Sequence, residues 1–371
     1  MNKKIKIELI DLKTRFKEEK KELMSCVERV LKKGHLILTS ELKEFENQIC
    51  KYTKKNFCLG LNSGTDALMM SLWALGIGKG DEVITTPISF VASIGAIVHV
   101  GAKPVFVDVG IDLNINPILI EKAITKRTKA IMPVHWGGRV CQMDIIMKIA
   151  KKYNLFIIED AAQAMGAFFN NKHAGNFSDI AAFSSHPLKN LNAVGDGGFI
   201  VTNNKKLYDK IALYRNHGLK SRDNVEIFGV NSRLDVLNAE ILKFRLKKLK
   251  NIILRRSKNV SIYKKYIQTN KVILPIEDYN ITHSYVMLLA LCENRDELQK
   301  YLQKKGIQTL IYYGTPLHLH KASKILNYKR GDFPNAELLS SKVLALPHHQ
   351  NLKFNEIVYV SQEINKFYNN Y

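Results

Sequence analysis

Short apolar runs alternate with amphipathic stretches between residue 56 and residue 202. The runs are continuously apolar, which is typical of parallel strands, because helices cover both faces of such a sheet. The predicted strands are 57–61, 82–86, 104–108, 130–134, 155–159, 180–183 and 199–202. The predicted helices between them are 66–75, 90–100, 117–125 and 143–153. This pattern predicts an α/β domain around a mostly parallel seven-stranded sheet.

The sequence on either side of this region has a helical pattern. The predicted helices there are 12–33, 40–52, 204–218 and a long one at 235–265. The last third of the chain predicts strands at 285–291 and 308–313 and helices at 295–305, 337–345 and 355–368. A chain of 371 residues exceeds the size of one compact core. We therefore expect a large domain, residues 1–245, and a small α+β domain, residues 246–371.

The chain carries a formal charge of +22, from 56 lysines and arginines against 34 acidic residues. Nucleic-acid binding is one explanation for such a balance. The basic residues are spread along the chain, however, and no aromatic residues alternate with them in a block. A basic surface also attracts a phosphorylated substrate. We favour that second explanation and expect no nucleic-acid partner.

The N-terminal sequence is charged throughout, and no apolar run is long enough to cross a membrane. Five cysteines are scattered along the chain without the spacing of a metal or redox site. Unpaired cysteines are typical of a reducing compartment. These features predict a cytoplasmic protein with no membrane partner and no metal centre.

A polar loop between the strands predicted at 180–183 and 199–202 contains Lys189. Burial between two strands would lower the pKa of a lysine amine and make it nucleophilic. Such an amine can form a Schiff base with an aldehyde cofactor such as pyridoxal phosphate. A solvated surface lysine is the plainer interpretation of this loop on its own, so other residues must decide.

Two further motifs follow predicted strands. At 62–65 a tight turn precedes a helix, and its amides, the Thr65 hydroxyl and the small Gly64 suit a phosphate. Asp160 lies at the carboxyl end of a strand, where ligands bind in open α/β sheets. A buried carboxylate there needs a cation, such as a protonated pyridine nitrogen. Each motif alone also fits a plain helix cap, but their occurrence together with Lys189 favours a pyridoxal phosphate site.

The chain resembles the pyridoxal-phosphate-dependent sugar aminotransferases of the DegT/DnrJ/EryC1/StrS group over nearly its whole length. The resemblance is carried by NSGTDAL (62–68), TTPISFVAS (85–93), EDAAQA (159–164), FSSHPLKNLNAVGDGG (183–198), GVNSRLD (229–235), YYGTPLHL (312–319) and FPNAELLSSKVLALP (333–347). It implies an aspartate-aminotransferase-like fold, which is fold type I of the pyridoxal phosphate enzymes. It also implies transaminase activity with the cofactor in its PLP and PMP forms.

The resemblance implies that Lys189 holds the cofactor as a Schiff base and moves protons, while Asp160 keeps the pyridine nitrogen protonated. The further cofactor-binding residues that it implies are Ser63, Gly64, Thr65, Phe90, Gln163, Ser184 and Asn231. Asn231 would reach the cofactor of a partner subunit, which implies a homodimer whose active sites are shared across the interface. The candidate substrate contacts are His186, Arg233, Tyr313, His318 and Arg139, for which ordinary structural roles remain an alternative.

The implied reaction moves the amino group of L-glutamate to a keto sugar carried on a nucleotide diphosphate. GDGG and NSRLD are more similar to members that act on 3-keto sugars. We therefore predict a dTDP-linked 3-keto-6-deoxyhexose, used for surface-polysaccharide biosynthesis. A 4-keto sugar linked to UDP or GDP is the main alternative. A non-catalytic regulatory protein that binds pyridoxal phosphate is another, and a sugar 3-dehydrase is disfavoured because Lys189 stands where such enzymes have histidine.

Three segments depart from the usual pattern of the group. HWGGRVCQMD (135–144) replaces a commoner His-Tyr-Gly segment, Ser185 and His186 stand where many members have an aromatic residue after the serine, and YYGTP lacks the usual Tyr-Pro-x-Pro. None of the three includes an implied cofactor residue, so we expect them to affect the choice of sugar.

Overall fold

Ten α-helices and fifteen β-strands form the secondary structure of residues 6–370, the part of the chain that the computed structural model describes. The strands are β1 (Phe57–Leu61), β2 (Glu82–Thr85), β3 (Lys103–Phe106), β4 (Thr128–Ile131), β5 (Phe156–Asp160), β6 (Phe168–Phe169), β7 (Lys172–His173), β8 (Ile180–Ser184), β9 (Gly198–Thr202), β10 (Leu219–Ser221), β11 (Asn224–Val225), β12 (Val272–Ile273), β13 (Ile281–Thr282), β14 (Leu288–Cys292) and β15 (Val343–Leu346). The helices are α1 (Leu12–Lys33), α2 (Ser40–Thr53), α3 (Gly64–Ala74), α4 (Val91–His99), α5 (Met143–Tyr153), α6 (Lys205–Tyr214), α7 (Val236–Tyr266), α8 (Arg295–Lys304), α9 (Pro334–Lys342) and α10 (Phe354–Asn369).

The central sheet has seven strands in the order β1-β9-β8-β5-β4-β2-β3. Within this sheet β9 runs antiparallel to both of its neighbours, and the other adjacent pairs are parallel. The predicted α/β class and the mostly parallel seven-stranded sheet are therefore confirmed. The strands are buried along most of their length because helices cover both faces, which explains their continuously apolar sequence.

Two apolar clusters cover the two faces of this sheet. On one face α2 and α7 pack through side chains such as Phe45 and Leu242, which are fully buried with Phe183 and Phe199 of the sheet. On the other face α3 contributes Leu68 and Leu72 to a second cluster. Among residues 6–370, no helix combines the length and the apolar character that a membrane span requires.

The C-terminal part is built on an antiparallel sheet in the order β12-β14-β15, against which α8 and α10 pack. The N-terminal segment joins this part, because Ile7 pairs with Ile307 and the Lys6 N–H donates to the Gly306 carbonyl at 2.8 Å. The division into residues 1–245 and 246–371 stays a prediction, since its boundary falls inside the single helix α7.

Three predicted elements were wrong. The helix predicted at 117–125 is instead two short 3-10 turns, Pro117–Leu119 and Glu121–Ala123. The strand predicted at 308–313 is absent from the described chain, where Leu310 makes a single bridge to Ala345. The helix predicted at 337–345 ends at Lys342, because the apolar run that follows is fully buried as β15 and pairs with β14.

Gly198 allows the start of α3 to approach the central sheet. It pairs with Leu61 on one side and with Ser184 on the other. A Cβ atom at this position would lie 2.4 Å from the carbonyl carbon of Ser63 and 2.6 Å from the amide nitrogen of Gly64. Those neighbours are backbone atoms and cannot rotate away, so only glycine fits beside the turn.

We expect Gly198→Ala to lower the free energy of unfolding by about 1–3 kcal/mol, because the new methyl group displaces the turn at 63–64. Urea unfolding of the purified protein measures this change. The matched control is Gly95→Ala in α4, where a Cβ meets nothing closer than 4.0 Å. There alanine should raise the unfolding free energy by about 0.5–1 kcal/mol, and equal effects at the two sites would contradict the argument.

Candidate active site

A cavity of about 490 Å³ opens where β5 and β8 end and where α3 begins. Ten of the predicted site residues line it: Ser63, Gly64, Thr65, Phe90, Asp160, Gln163, Ser184, His186, Lys189 and Tyr313. Its other side, the far wall, comes from the N-terminal segment and the C-terminal part, through Ile10, Val286, Met287 and Tyr312. The cavity thus lies between the two parts of the fold, at the edge of the sheet where α/β proteins bind ligands.

The turn at the start of α3 presents backbone amides to the cavity. The Ser63 hydroxyl accepts a hydrogen bond from the Asp66 N–H at 3.0 Å, so its side chain caps the helix. The Gly64 and Thr65 amides belong to the first turn, where no intrahelical carbonyl is available. A Cβ on Gly64 would lie 2.7 Å from Ser184 Cβ, which shows how closely the Ser184 hydroxyl adjoins this turn. Together these groups suit a phosphate.

Asp160 ends β5 as a buried carboxylate, with 4% of its surface exposed. The Ser93 hydroxyl donates to Oδ2 at 2.6 Å, and the Ala162 N–H donates to Oδ1 at 3.2 Å. Burial raises the pKa of this carboxyl above its usual value, although both hydrogen bonds and the Lys189 amine oppose the change. Within residues 6–370 Asp160 forms no ion pair, so its carboxylate is available to pair with a cationic ligand group.

A buried hydrogen-bond network lies next to Asp160 and holds the end of β5. His135 Nε2 lies 3.0 Å from Glu159 Oε1, and the Cys141 N–H donates to His135 Nδ1 at 3.2 Å. Because Nδ1 accepts, the imidazole proton is on Nε2 and donates to the carboxylate. Burial raises the pKa of Glu159, but its hydrogen bonds bring that pKa below the usual value. The other donors to Glu159 are Gly175 N, Phe177 N and Ser178 Oγ.

Lys189 lies in the β8–β9 connection, where its own N–H donates to the His186 carbonyl at 2.8 Å. Its side chain is half-buried and lines the cavity. Burial lowers the pKa of the amine to about 8, while the nearby Asp160 carboxylate acts in the opposite direction. More of this amine is therefore neutral near physiological pH than in an exposed lysine, and the neutral form is the one that acts as a nucleophile or a proton acceptor.

Gln163 and two aromatic residues complete the wall. The Gly137 N–H donates to Gln163 Oε1 at 2.8 Å, which leaves the amide nitrogen as a donor for a ligand. The Phe90 ring is about half exposed and lies 6.1 Å from the Tyr313 ring, centroid to centroid. Burial raises the pKa of Tyr313 to about 12, so its hydroxyl keeps its proton.

Two predicted residues lie outside the cavity of their own chain, on the segment that follows β11. Asn231 is exposed and forms a β-bridge with Asn216. Arg233 is half-buried and donates from Nη1 to Asn216 Oδ1 at 3.1 Å. Neither side chain contributes to the cavity wall within one chain.

Two other substrate candidates also lie outside the cavity and have structural partners. His318 is buried, with Nε2 3.0 Å from Glu337 Oε1. Arg139 pairs with Asp112 at 3.2 Å and with Asp278 at 3.5 Å, beside a separate cavity of about 50 Å³. The structure therefore does not bring these two side chains to the cavity that contains Lys189.

Sequence reasoning missed Ser89 and Ser93, whose hydroxyl oxygens are 2.6 Å apart. The Ser93 hydroxyl in turn donates to Asp160. Ser89 lies before the N-cap of α4 and Ser93 lies in its first turn, so no helical spacing in the sequence marks them as a pair. Sequence reasoning also missed Val286 and Met287 of the far wall. No local pattern marks these two, because they reach the cavity only through tertiary packing.

The residues of the cavity fit pyridoxal phosphate. The turn at Gly64 lies so close to Ser184 that any side chain at residue 64 would overlap it, and the free amides of this turn line the cavity beside the Ser184 hydroxyl. Asp160 is a buried carboxylate that can pair with a protonated ring nitrogen. Lys189 has an amine that can hold an aldehyde, and Gln163 retains a free donor.

Comparisons with known proteins identify the family of this chain. The family model described as the DegT/DnrJ/EryC1/StrS aminotransferase family matches residues 17–365. A dTDP-3-amino-3,6-dideoxy-alpha-D-galactopyranose transaminase from Aneurinibacillus thermoaerophilus is 39% identical over 97% of this chain and 99% of its own. A protein named pleiotropic regulatory protein, from Geobacillus stearothermophilus, is 38% identical over 98% of this chain and 99% of its own.

Solved structures confirm the predicted fold. S. venezuelae DesV, crystallised in complex with a ketimine intermediate, matches with a TM-score of 0.95 and 36% identity over 97% of this chain and 98% of the other. The PLP form of a protein described as a sugar aminotransferase, Spr1654 from Streptococcus pneumoniae, matches with a TM-score of 0.88 and 25% identity. The match covers 94% of the present chain and 96% of that structure. The cofactor of the present chain is pyridoxal 5′-phosphate.

We expect the rate at which the apoprotein takes up pyridoxal phosphate to rise with pH through a midpoint of about 8, the pKa of Lys189. The neutral amine is the reactive form, and it decreases as pH falls below that pKa. Rapid-mixing absorbance from about pH 6 to about pH 10 measures the rate. Lys189→Met is the control and should show only the absorbance of unbound pyridoxal phosphate. A rate that still rises steeply at the upper end of this range, as the ordinary lysine value of 10.5 predicts, would contradict the assignment.

Proposed function

The chain belongs to the DegT/DnrJ/EryC1/StrS aminotransferase family, and from that premise we propose that it transfers the amino group of L-glutamate to a dTDP-linked 3-keto-6-deoxyhexose. The main support is the cavity in which Lys189, with its lowered pKa, faces the buried Asp160. We further propose that the amino sugar is used for surface polysaccharide.

In this proposal the residues around α3 hold the cofactor phosphate. The Gly64 and Thr65 amides and the Ser184 hydroxyl bind its oxygens, while Ser63 keeps the turn in shape by capping the helix. Phe90 packs against the ring. These residues would hold the cofactor at one end of the cavity, whose wall also includes Lys189.

The other polar residues control charge and protons. Asp160 keeps the ring nitrogen protonated, and Ser93 orients that carboxylate. Gln163 donates to the ring oxygen from its free amide nitrogen. When bound, pyridoxal phosphate supplies an electron sink that stabilises negative charge on the substrate carbon.

Lys189 is the base and acid of the proposed reaction. Its pKa of about 8 lets Nζ accept a proton from substrate and return it within the same cavity. The apolar side chains of Ile10 and Met287 line the wall and exclude water. Together these features favour proton transfer at Nζ over loss of the proton to solvent.

We propose a homodimer in which Asn231 binds the partner subunit's cofactor phosphate. Asn231 is exposed on its own chain and does not line its own cavity. Phe228, three residues before Asn231, is 99% exposed, and Val194 of the β8–β9 connection is 62% exposed; apolar groups of this size are more stable when covered. A two-fold contact through this region would bury them and complete both sites.

The choice of carbon 3 rests on GDGG and NSRLD in this chain and on the 3-amino product in the name of the Aneurinibacillus relative. A 4-keto sugar linked to UDP or GDP is the second candidate, because GDP-perosamine synthase is also among the relatives. A regulatory role is a third, suggested by the name of the Geobacillus relative. The presence of both Lys189 and Asp160 favours turnover over a purely regulatory role.

We expect purified protein with L-glutamate to aminate nucleotide-linked 3-keto sugars and to leave their 4-keto isomers unchanged. Mass spectrometry of a matched sugar panel measures both. Lys189→Ala should reduce turnover by about 10²–10⁴-fold, since it removes the general base. Lys205→Ala, at an exposed lysine of α6, is the matched control and should keep full activity. Turnover of 4-keto sugars alone would refute the proposed amination at carbon 3. Cofactor binding without any turnover would favour the regulatory role.

A further inference from the structure

We propose that Arg256 is a positioning residue that holds the Lys189 loop against the far wall of the active-site cavity. The inference rests on the proposed transaminase function and extends it to a residue outside the cavity. Arg256 lies on α7, does not line the cavity and is 5% exposed. Its effect on the reaction must therefore pass through other residues.

The guanidinium of Arg256 joins the lysine loop to the chain segment before β14. Nη1 donates to Asn190 Oδ1 at 2.7 Å, to the Tyr285 carbonyl at 3.1 Å and to the Val286 carbonyl at 3.0 Å. Nη2 donates to Gln350 Oε1 at 3.2 Å. Asn190 directly follows Lys189, and Val286 lines the cavity, so one side chain contacts both sides of the site.

Asn190 adds a second connection between the same two segments. It is buried, and its Nδ2 donates to the Ser284 carbonyl at 2.6 Å. The Ser284 hydroxyl in turn donates to the Gln163 carbonyl at 2.9 Å. Segment 284–286 is thus bonded both to the lysine loop and to the residues just after Asp160. Arg256 donates to Asn190 and to segment 284–286, which are the two sides that these bonds join. It therefore controls the distance between Lys189 and Asp160.

The electrostatics indicate that Arg256 organises the site rather than forming an ion pair. Its four acceptors are neutral oxygens, and no carboxylate among residues 6–370 forms an ion pair with it. Burial lowers its pKa to about 9, and the charge of Arg15 acts in the same direction. A buried cation of this kind is costly. The planar guanidinium of arginine has five N–H donors and can bond several acceptors at once, whereas the ammonium group of lysine has no such planar arrangement.

The same helix holds the loop at a second point, three turns earlier. Arg245 Nη1 donates to the Asn192 carbonyl at 2.7 Å and to the Ala193 carbonyl at 3.3 Å. Unlike Arg256, Arg245 pairs with a carboxylate, Glu19, at 2.9 Å. Its contacts are with the loop and with α1, and none is with the segment 284–286, so the link across the site belongs to Arg256.

The first test compares Arg256→Met with wild type and with Arg255→Met, an exposed neighbour on the same helix. A loosened loop hydrates Lys189, so in Arg256→Met the pH midpoint of pyridoxal phosphate uptake should move from about 8 toward 10.5. The titratable groups around Lys189 are Asp160, His186 and Asp196 with the two tyrosines of the wall, and no variant changes them. Arg255→Met should keep the wild-type midpoint.

Turnover should fall by about 10- to 100-fold in Arg256→Met, because a misplaced lysine slows proton transfer. KM for the nucleotide sugar should stay within about twofold, since Arg256 touches no substrate. Arg256→Lys keeps the charge and loses the planar guanidinium, so an intermediate turnover is expected. If Arg256→Met does not fold, Arg256→Lys and Asn190→Ala provide the same comparison, and wild-type midpoints in both would overturn the proposal.

A double-mutant cycle tests the path through Asn190. If Arg256 acts on Lys189 through Asn190, the double variant Asn190→Ala/Arg256→Met should lose no more turnover than Arg256→Met alone. Fully additive losses would refute that path. A wild-type protein without any visible cofactor band would overturn the proposed function together with this inference. A wild-type midpoint and turnover in Arg256→Met would overturn the inference alone.

Discussion

The candidate active site depends on keeping a buried carboxylate, Asp160, and a half-buried lysine, Lys189, in the same cavity. In such surroundings each unpaired charge is costly and each hydrogen bond is strong. Much of the neighbouring structure serves this requirement: Ser93 donates to Asp160, and the His135–Glu159 pair fixes the strand that ends there. The opposite pKa changes of the two groups follow from the same burial.

Close backbone packing brings these groups within reach of one ligand. β9 lies between β1 and β8, so the turn that begins α3 and the loop that follows β8 become neighbours. Gly198 and Gly64 make that contact possible, because a Cβ at either position would overlap Ser63 or Ser184. The turn at 63–65 and the loop that contains Lys189 are thus parts of one packing arrangement, and a substitution in either should displace the other.

The far wall of the cavity comes from elements remote in sequence. Ile10 precedes α1, and Val286 and Met287 precede β14. The segment that includes Ser284 and Val286 is tied to the catalytic side by hydrogen bonds from Arg256, Asn190 and Ser284 itself. The long helix α7 therefore does more than connect the two parts of the chain, since its buried arginine contacts the loop that presents the lysine. The same architecture leaves Asn231 outside its own cavity, available to a partner.

The sequence by itself determined the central sheet, because continuous apolar runs mark its strands. It also marked the turn at 62–65, Asp160 and Lys189 as candidates, since each lies just beyond such a run, and the structure places all three around one cavity. It did not determine β15, since a short buried apolar run has the same composition in a helix and in a strand. Nor did it indicate Ser93, Val286 or Arg256. Their roles arise from contacts across 67 residues in the first case and 66 in the last. Only the tertiary structure decides such contacts, because packing, not local propensity, selects which distant side chains meet.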